Sequence, residues 1–403
     1  MKPLLPVAEA LSQVLAQAQP LVDVEDVPLI DALGRVLAAD QVSPLAVPGE
    51  DNSAMDGYAV RVADLGSGAL PVSQRIPAGV MGEPLKPGTV ARIFTGAPVP
   101  VGADAVVMQE DCRASDDGVV IDTEASPGQH IRPAGQDIQQ GSTVLAAGRR
   151  LRPQDLGLLA SIGCATVPVV RRLQVAILST GDELVEPGGG VLAPGQLYNS
   201  NRYTLAGLLR SLDIAVIDGG IVPDDPDATR DALQQAADNA DCVITSGGVS
   251  VGEEDHVKQQ VEALGHLNLW KLAMKPGKPL AFGHIGETPF IGLPGNPSSV
   301  FVTFCLIARP YLLRLQGVTD QALPELKVRA GFSTNRPGGR QEYLRVMLEE
   351  DPAQGLIARR YANQSSGVLS SVSQSNALAV VPPGVTVTAG DEVAVLLLDL
   401  LAG

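Results

Sequence analysis

A short polar segment holds the residues that are best suited to chemistry. Asp51-Asn52-Ser53-Ala54-Met55-Asp56-Gly57-Tyr58-Ala59 places two carboxylates, an amide, a hydroxyl and a turn glycine close together. It follows neither the alternation of a half-buried strand nor the charged, alanine-rich pattern of a surface helix. We therefore expect a loop that presents Asp56 to a ligand. For this segment alone, an Asx turn followed by a tight glycine turn, with no ligand, is the alternative.

Three later loops combine glycine with Ser, Thr or Asn, and each follows a short apolar run. They are Ser179-Thr180-Gly181-Asp182-Glu183, Ser246-Gly247-Gly248-Val249-Ser250-Val251-Gly252 and Leu293-Pro294-Gly295-Asn296-Pro297-Ser298-Ser299. Parallel strands end at the same edge of a sheet, so these loops should meet where open α/β folds bind ligands. Glycine lets backbone amides approach a phosphate, and a following helix offers its positive end. None of the loops matches GxxxxGK[ST] or GxGxxG, which disfavours a P-loop ATPase or a nicotinamide dehydrogenase.

Acidic residues lie beside these loops in the sequence. Asp224-Asp225 precedes Pro226, and Glu253-Glu254-Asp255 follows the Ser-Gly-Gly loop. Carboxylates beside a phosphate site are ligands that Mg²⁺ prefers. Capping of the following helices explains the same residues equally well.

Basic residues are concentrated in one segment of an acidic chain. Lys271, Lys275 and Lys278 surround a Pro-Gly turn, which favours fixed presentation of the lysines to an anion over a solvated helix face. Arg132 and Asp137 form another cation and acid pair, which a surface salt bridge would also explain.

Composition narrows the class of protein. The 403 residues include 29 basic and 45 acidic side chains, which gives a formal net charge of −16, and only 3% are aromatic. Both features disfavour a nucleic-acid partner. Pro3, Pro6 and Glu9 interrupt a possible signal core, and the longest apolar run, 300–308, is half a membrane span. We expect a cytoplasmic protein with no membrane partner.

The cysteines offer no soft-metal site. They form no CxxC pair and have no histidine at metal-ligand spacing; they are Cys112, Cys164, Cys242 and Cys305. We expect buried, inert thiols. Any metal is then a hard cation on carboxylates or is carried by the substrate.

The apolar pattern predicts the elements that must position these groups. Helices are predicted over 5–18, 26–39 and 152–162, with a module of short strands and turns between them. From 173 onward, apolar runs alternate with helical segments, as in a parallel sheet covered on both faces. The predicted strands are 173–178, 214–218, 242–246 and 289–293, and the predicted helices are 200–212, 225–239, 253–264 and 298–315. The segment 328–400 resembles a small all-β module.

Taken together, these motifs strongly resemble the MoeA family of molybdopterin molybdenumtransferases, which is related to the E domain of gephyrin. The resemblance rests on residues 48–59, 95–100 with 102–107, 179–184, 246–252 and 293–297, in matching order and spacing. It implies a multidomain α/β plus β fold. The implied parts are a helical linker domain (1–43 and 142–172), an inserted β-rich domain (44–141), a molybdopterin-binding three-layer αβα domain (173–320) and a C-terminal β-barrel (321–403).

The resemblance also implies the reaction. Molybdate would be inserted into the dithiolene of adenylylated molybdopterin, with Mg²⁺-dependent release of AMP. The substrate's own sulfurs would hold the molybdenum, so cysteine ligands are not needed. Molybdate and tungstate remain alternatives, because both are tetrahedral oxyanions of nearly equal size. A homodimer with a shared active site is implied, in which Asp56 reaches the substrate of the other subunit. Molybdopterin adenylyltransferase and maturation factors of molybdoenzymes are the implied protein partners.

Site residues follow from the resemblance position by position. The implied catalytic residues are Asp56, Asp224, Asp255, Lys271 and Lys275, and the implied metal ligands are Asp56, Glu183, Asp224 and Asp255. The implied substrate-binding residues are Thr95, Arg132, Asp137, Glu183, Ser246, Gly247, Gly248, Ser250, Lys278, Pro294, Gly295, Asn296 and Pro297. Glu50 stands where an apolar or aromatic residue is expected, and 340–345 match only loosely.

Two other functions compete with this one. An adenylyltransferase that activates molybdopterin is similar to the α/β part alone, but it lacks the module that carries Asp56. A cofactor carrier or scaffold without catalysis is the alternative from another class of protein. The acids Asp56, Asp224 and Asp255 argue against loss of activity.

Overall fold

A mixed six-stranded sheet lies at the centre of the molecule. The computed structural model describes residues 4–248 and 256–402. The strand order of the sheet is Ala215–Val222, Gln174–Thr180, Cys242–Ser246, Thr288–Leu293, Pro279–Ile285 and Gly265–Lys271. The first four strands are parallel, as predicted, and the last two pair antiparallel. A tight hairpin at Gly286, whose φ of 55° suits glycine, joins Pro279–Ile285 to Thr288–Leu293 and makes that pair antiparallel.

Helices cover both faces of this sheet. They are Ser200–Ser211, Pro226–Asn239, His256–Leu264 and a continuous helical stretch made of Pro297–Thr303, the π-helical Phe304–Ala308 and Arg309–Leu315. The last stretch and Ser200–Ser211 share one apolar core, and Pro226–Asn239 packs in the core of the other face. Pro297–Leu315 is long and apolar enough to span a membrane, but 83% of it is buried in the protein, as expected of a core helix.

The segment predicted as the second N-terminal helix is mostly extended. Residues Val24–Pro28 form a strand that pairs with Thr166–Val170, and a single 3₁₀ turn, Leu29–Asp31, follows. The helix prediction for 26–39 was wrong because the apolar residues contact the neighbouring strand, and Gly34 adopts a φ of 78° that ends any helical path. The other two predicted helices are present as Val7–Leu15 and Pro153–Ser161.

The inserted module is β-rich, as predicted. Its four-stranded sheet has the order Val72–Ile76, Val90–Ile93, Gly57–Val60 and Ala105–Met108. Smaller pairs are formed by Cys112–Ser115 with Gly118–Ile121 and by Asn52–Ser53 with Ile131–Arg132. Gln41–Val42 pairs with Thr143–Leu145 where the chain enters and leaves the module.

The C-terminal module is a closed barrel. Five strands pair in a ring and surround their own apolar core: Gln341–Asp351, Gly355–Arg360, Leu326–Ala330, Glu392–Leu397 and Ala377–Val381. Two short helices, Ser370–Ser373 and Leu398–Ala402, accompany them. The short strand Met274–Lys275 of the α/β part pairs with the start of Gln341–Asp351. This pairing joins the barrel to the lysine segment.

Candidate functional site

A cavity of about 910 Å³ lies at the carboxyl edge of the central sheet. All three glycine-bearing loops line it, because their strands end at the same level. Ser179 is paired with Ser246, and Ser246 with Leu293, across the parallel strands. The sequence therefore correctly predicted that these loops meet. The site residues that line the cavity are Glu183, Asp224, Ser246, Gly247, Gly248, Lys275, Lys278, Pro294, Gly295, Asn296 and Pro297.

The Ser-Gly-Gly loop approaches its neighbours too closely for larger residues. Gly248 has a φ of 65°, and a Cβ there would lie 2.5 Å from Cγ2 of Val257. The amide of Gly247 donates to the carbonyl of Leu293 at 3.1 Å, so this amide holds two site loops together. The tight turn at Gly247 and Gly248 therefore holds this part of the cavity wall in one conformation.

Some polar atoms of the cavity lack partners among the described residues. The hydroxyl of Ser246 is buried and has no hydrogen bond to any described residue. The Asn201 side chain donates to the carbonyl of Gly295 at 2.7 Å, while its own Oδ1 is buried with no partner in the described part of the chain. Buried polar groups are normally hydrogen-bonded. These atoms fit a polar ligand that completes their hydrogen bonds.

Two adjacent aspartates have different surroundings. Asp225 accepts a hydrogen bond from the amide of Ala228 at 2.8 Å and so caps the helix Pro226–Asn239. Asp224 lines the cavity, and its backbone amide donates to Asp182 at 3.1 Å. Capping and ligand binding were alternatives in the sequence; the structure shows the cap at Asp225 and places Asp224 on the cavity wall, where its ligand role stays a prediction. Asp224 and Glu183 are thus the carboxylates of this cavity among the described residues.

Lysine and arginine side chains supply its positive charge. Lys275 and Lys278 line the cavity, and Nζ of Lys275 lies 3.3 Å from Oε1 of Glu342 in the barrel. Arg340 also lines it, with Nη1 donating to the carbonyl of Met274 at 3.2 Å. Lys271 stands at the end of its strand and is not among the described lining residues.

Several lining residues were missed by the sequence analysis. Arg340, Gln364, Ser365 and Ser366 come from the barrel, and Asn199, Ser200 and Asn201 come from a helix start. The available signals were the turn of Arg336-Pro337-Gly338-Gly339-Arg340 and the polar run 363–366. Nothing in these segments shows that the barrel reaches the sheet edge.

Asp56 occupies a second polar centre, in the inserted module. Its Oδ1 accepts hydrogen bonds from the Thr95 amide at 2.8 Å and from the Thr95 hydroxyl at 2.8 Å. These bonds, with the nearby Arg92, hold the pKa of the Asp56 carboxyl below its usual range. A Cβ on Gly57 would overlap the carbonyl oxygen of Val107, so glycine is needed next to this acid.

Arg92 organises the same centre. Its Nη1 donates to the Gly57 carbonyl at 2.9 Å, and its guanidinium lies 5.2 Å from the ring centroid of Tyr58 and 4.6 Å from that of Phe94. Cation and ring contacts of this kind fix both partners. Arg132 belongs to the strand that pairs with Asn52–Ser53 and is exposed, as is Asp137, and neither forms an ion pair in the described structure.

The two centres are separate within one chain. None of Asp56, Thr95, Arg132 and Asp137 is among the described residues that line the sheet-edge cavity. Ser250 and Asp255 lie outside the described residues, so their predicted roles stay predictions.

The cysteines differ in burial. Cys242 and Cys305 are buried, and burial raises the pKa of the Cys305 thiol to about 12. Burial also raises the pKa of Cys242 and, to about 11, that of Cys112. No cysteine is among the described lining residues. The prediction of buried thiols is thus confirmed for Cys242 and Cys305 and wrong for Cys112 and Cys164, which are partly exposed. The raised pKa values are those of weakly nucleophilic thiols.

The architecture defines the class of the protein: a linker with an inserted β-rich module, a three-layer α/β part and a closed five-stranded barrel. The N-terminal region of MoeA (domains I and II) matches residues 5–163, the probable molybdopterin-binding domain of molybdenum cofactor biosynthesis matches 176–314, and the C-terminal region of MoeA (domain IV) matches 327–398. The chain belongs to the MoeA family, which confirms the resemblance seen in the sequence.

Full-length relatives agree with this assignment. The chain is 41% identical to the molybdopterin molybdenumtransferase of Haemophilus influenzae, over 92% of this chain and 93% of the relative. It is 40% identical to the Nostoc enzyme of the same name, over 94% and 89%. It is 31% identical to Dictyostelium discoideum gephyrin, covering 94% of this chain and 60% of gephyrin. The crystal structure of the MoeA protein from Pyrococcus horikoshii OT3 has a TM-score of 0.84 at 32% identity, covering 98% of this chain and 100% of the other.

Proposed function

We propose that this chain inserts molybdenum from molybdate into the dithiolene of adenylylated molybdopterin, with Mg²⁺-dependent release of AMP. The observation that carries this proposal is one cavity that combines Glu183 and Asp224 with Lys275, Lys278 and Arg340. A dinucleotide-like substrate with a pyrophosphate link needs such a mixture of cations and carboxylates. Relatives at 40 to 41% identity carry the name molybdopterin molybdenumtransferase.

The cations would bind the phosphate groups. Lys278 and Arg340 come from opposite sides of the junction between the α/β part and the barrel, and both line the cavity. Charge-assisted hydrogen bonds from such groups stabilise negative charge that develops when the pyrophosphate link breaks. The unpartnered Ser246 hydroxyl would add a hydrogen bond to the ligand.

The carboxylates fit a magnesium ion. Glu183 and Asp224 both line the cavity, although the described residues contain no cluster of three or more metal-ligating side chains. Mg²⁺ keeps several waters and is commonly held by one or two carboxylates together with substrate phosphates. When bound, it would neutralise charge on the phosphate oxygens.

The molybdenum would be held by the substrate. Molybdenum is bound well by soft sulfur ligands, and no cysteine is among the described lining residues. The dithiolene of molybdopterin provides two sulfurs. The protein would then need only to hold molybdate close to them, through its cations and hydrogen-bond donors.

Asp56 would act from a second subunit. It is ionised readily because Thr95 donates two hydrogen bonds to it, yet it does not line the cavity of its own chain. A homodimer with a shared site would bring the two centres together. We further propose a cytoplasmic location, with molybdopterin adenylyltransferase as supplier of the substrate and maturation factors of molybdoenzymes as recipients of the product.

The first experiment measures AMP release from adenylylated molybdopterin with Mg²⁺, with and without molybdate. Molybdate-stimulated release that Asp56→Asn abolishes supports the proposal, and Glu50→Gln, a nearby exposed acid, serves as the matched control. Tight binding without AMP release, unchanged by Asp56→Asn, would indicate a carrier. Adenylylation of molybdopterin from ATP would indicate the adenylyltransferase.

The shared site has its own test. Asp56→Asn chains are expected to be inactive or nearly so, and Lys278→Ala chains to keep about a tenth of native activity when the substrate is well below its KM. After unfolding and refolding together, random pairing restores one intact site in half of the dimers, or about a quarter of native activity. Light scattering checks the dimer. A monomer, or a mixture with no recovered activity, would contradict the shared site.

A further inference from the structure

A second large cavity lies between the linker and the α/β part. Its volume is about 870 Å³, and its walls come from Gly34, residues 144–153, the end of the helix Ser200–Ser211, Arg309 and residues 318–322. It shares no described lining residue with the sheet-edge cavity. It is therefore a separate candidate site.

Arginines dominate the charge of this cavity. Arg149, Arg150, Arg152, Arg210 and Arg309 line it. The lining acids are Asp213 and Asp320. In a chain with a net charge of −16, such a local excess of arginine favours an anionic ligand.

Some of these charges are already neutralised. Arg149 and Arg152 both contact Asp155, at 2.9 and 3.2 Å. Asp213 contacts Arg35 at 3.4 Å and Arg172 at 3.0 Å, neither of which lines the cavity. The Arg150 side chain donates to the carbonyl of Ser211 at 2.6 Å and forms no ion pair in the described structure.

Arg309 differs from the other arginines of this cavity in its burial and in its missing hydrogen bonds. It is 8% exposed, and its Nε and Nη1 are buried with no hydrogen-bond partner among the residues that the structure describes. Burial lowers the pKa of its guanidinium, and Arg150 lowers it further. A buried charge is costly unless it is paired and hydrogen-bonded. Because Arg309 lines the cavity, a ligand bound there would supply the partner that these nitrogens lack among the described residues.

We propose that this cavity binds a phosphorylated small molecule through its phosphate group, with Arg309, Arg150 and Arg210 as the recognition residues. The planar guanidinium presents a fork of donors that matches the oxygens of a phosphate. Arg210 is exposed at the end of its helix and forms no ion pair among the described residues, so it remains available to a second oxygen. Three arginines suit a ligand with two or more negative charges.

The probe for the test is inorganic pyrophosphate, titrated by calorimetry at low ionic strength into the full chain. We expect two binding events per chain, one in each cavity. Arg309→Met should remove the event in the linker cavity, and Lys278→Ala should weaken only the one at the sheet edge. Arg210→Gln, at an exposed position, should weaken the linker event about tenfold, as expected for a lost charge-assisted hydrogen bond.

Thermal unfolding separates binding from a structural role. Because the unpartnered guanidinium is unfavourable when no ligand is bound, Arg309→Met should unfold at or above the native temperature without pyrophosphate. Pyrophosphate should still raise the unfolding temperature of Lys278→Ala, through binding in the linker cavity. That contribution to the rise in unfolding temperature should be missing in Arg309→Met. A single binding event that Lys278→Ala removes, or two events unchanged in both Arg309→Met and Arg210→Gln, would overturn the proposal.

Discussion

Asp56 and Thr95 form a two-point contact in which one carboxylate oxygen accepts both the backbone amide and the hydroxyl of the threonine, each at 2.8 Å. The contact joins the start of the strand Gly57–Val60 to the loop after Val90–Ile93. It holds the acid in one orientation and lowers the pKa of its carboxyl. Both effects favour an ionised group at a fixed position.

Replacing Thr95 should change the pH dependence of the reaction. Thr95→Val keeps the amide donor and removes the hydroxyl donor, so the pKa of Asp56 should rise towards its usual range. If ionised Asp56 acts, activity is lost as pH falls through this pKa, and the acid limb of kcat/KM should move to higher pH. At the acid end, kcat/KM should fall about tenfold.

The control for this prediction is Thr95→Ser, which retains the hydroxyl and should leave the acid limb near its native position. The measurement is AMP release over a pH series at saturating Mg²⁺. An acid limb that is unchanged in Thr95→Val would show that the ionisation of Asp56 does not limit the reaction.

Substitution of Asp224 and substitution of Asp225 should change different properties of the protein. Asp224→Asn should raise the Mg²⁺ concentration needed for half-maximal AMP release about tenfold, because one of the two cavity carboxylates is lost. Asp225→Ala should cost about 1 kcal/mol of unfolding free energy through loss of the helix cap. The Mg²⁺ concentration that Asp225→Ala needs for half-maximal AMP release should equal that of the native chain. Magnesium titration and urea unfolding of both variants provide the measurements, and a raised requirement in Asp225→Ala alone would reverse the assignment.

The lysine segment allows a matched comparison. Lys278→Ala should raise KM for adenylylated molybdopterin about tenfold, since a cation that lines the cavity is lost. Lys271→Ala should leave KM unchanged, because Lys271 is not among the described lining residues. Steady-state kinetics at two salt concentrations would check this, with a smaller salt effect expected in Lys278→Ala. Equal losses in both variants would restore the catalytic role that the family resemblance implied for Lys271.

The sequence predicted those parts of the site that depend on local order along the chain. Three apolar runs ending in glycine-bearing loops are enough to place Gly247, Glu183 and Asn296 at one sheet edge, because parallel strands share a direction. Asp225 was recognisable as a possible cap because Pro226 follows it.

The sequence could not show contacts made between distant modules. Arg340 and Ser365 reach the cavity because the strand Met274–Lys275 pairs with Gln341–Asp351, which docks the barrel on the lysine segment. A strand of two residues has too little pattern to be recognised. The helix wrongly predicted for 26–39 has a related cause, since its apolar residues pack against a strand more than a hundred positions away.

Two glycines of the cavity should differ in their tolerance of a methyl group. Gly248→Ala forces a φ of 65° on alanine and places its Cβ 2.5 Å from Cγ2 of Val257, so it should cost about 1 to 3 kcal/mol of unfolding free energy. Gly295→Ala meets nothing nearer than the Cα of Gly247 at 3.8 Å and should unfold at close to the native urea concentration. The loop that contains Gly248 is joined to Leu293 through the amide of Gly247. Strain in Gly248→Ala should therefore also disturb the cavity and weaken AMP binding. Urea unfolding and calorimetry with AMP test both points, and a Gly248→Ala chain as stable and as tight-binding as Gly295→Ala would show that the turn adjusts without cost.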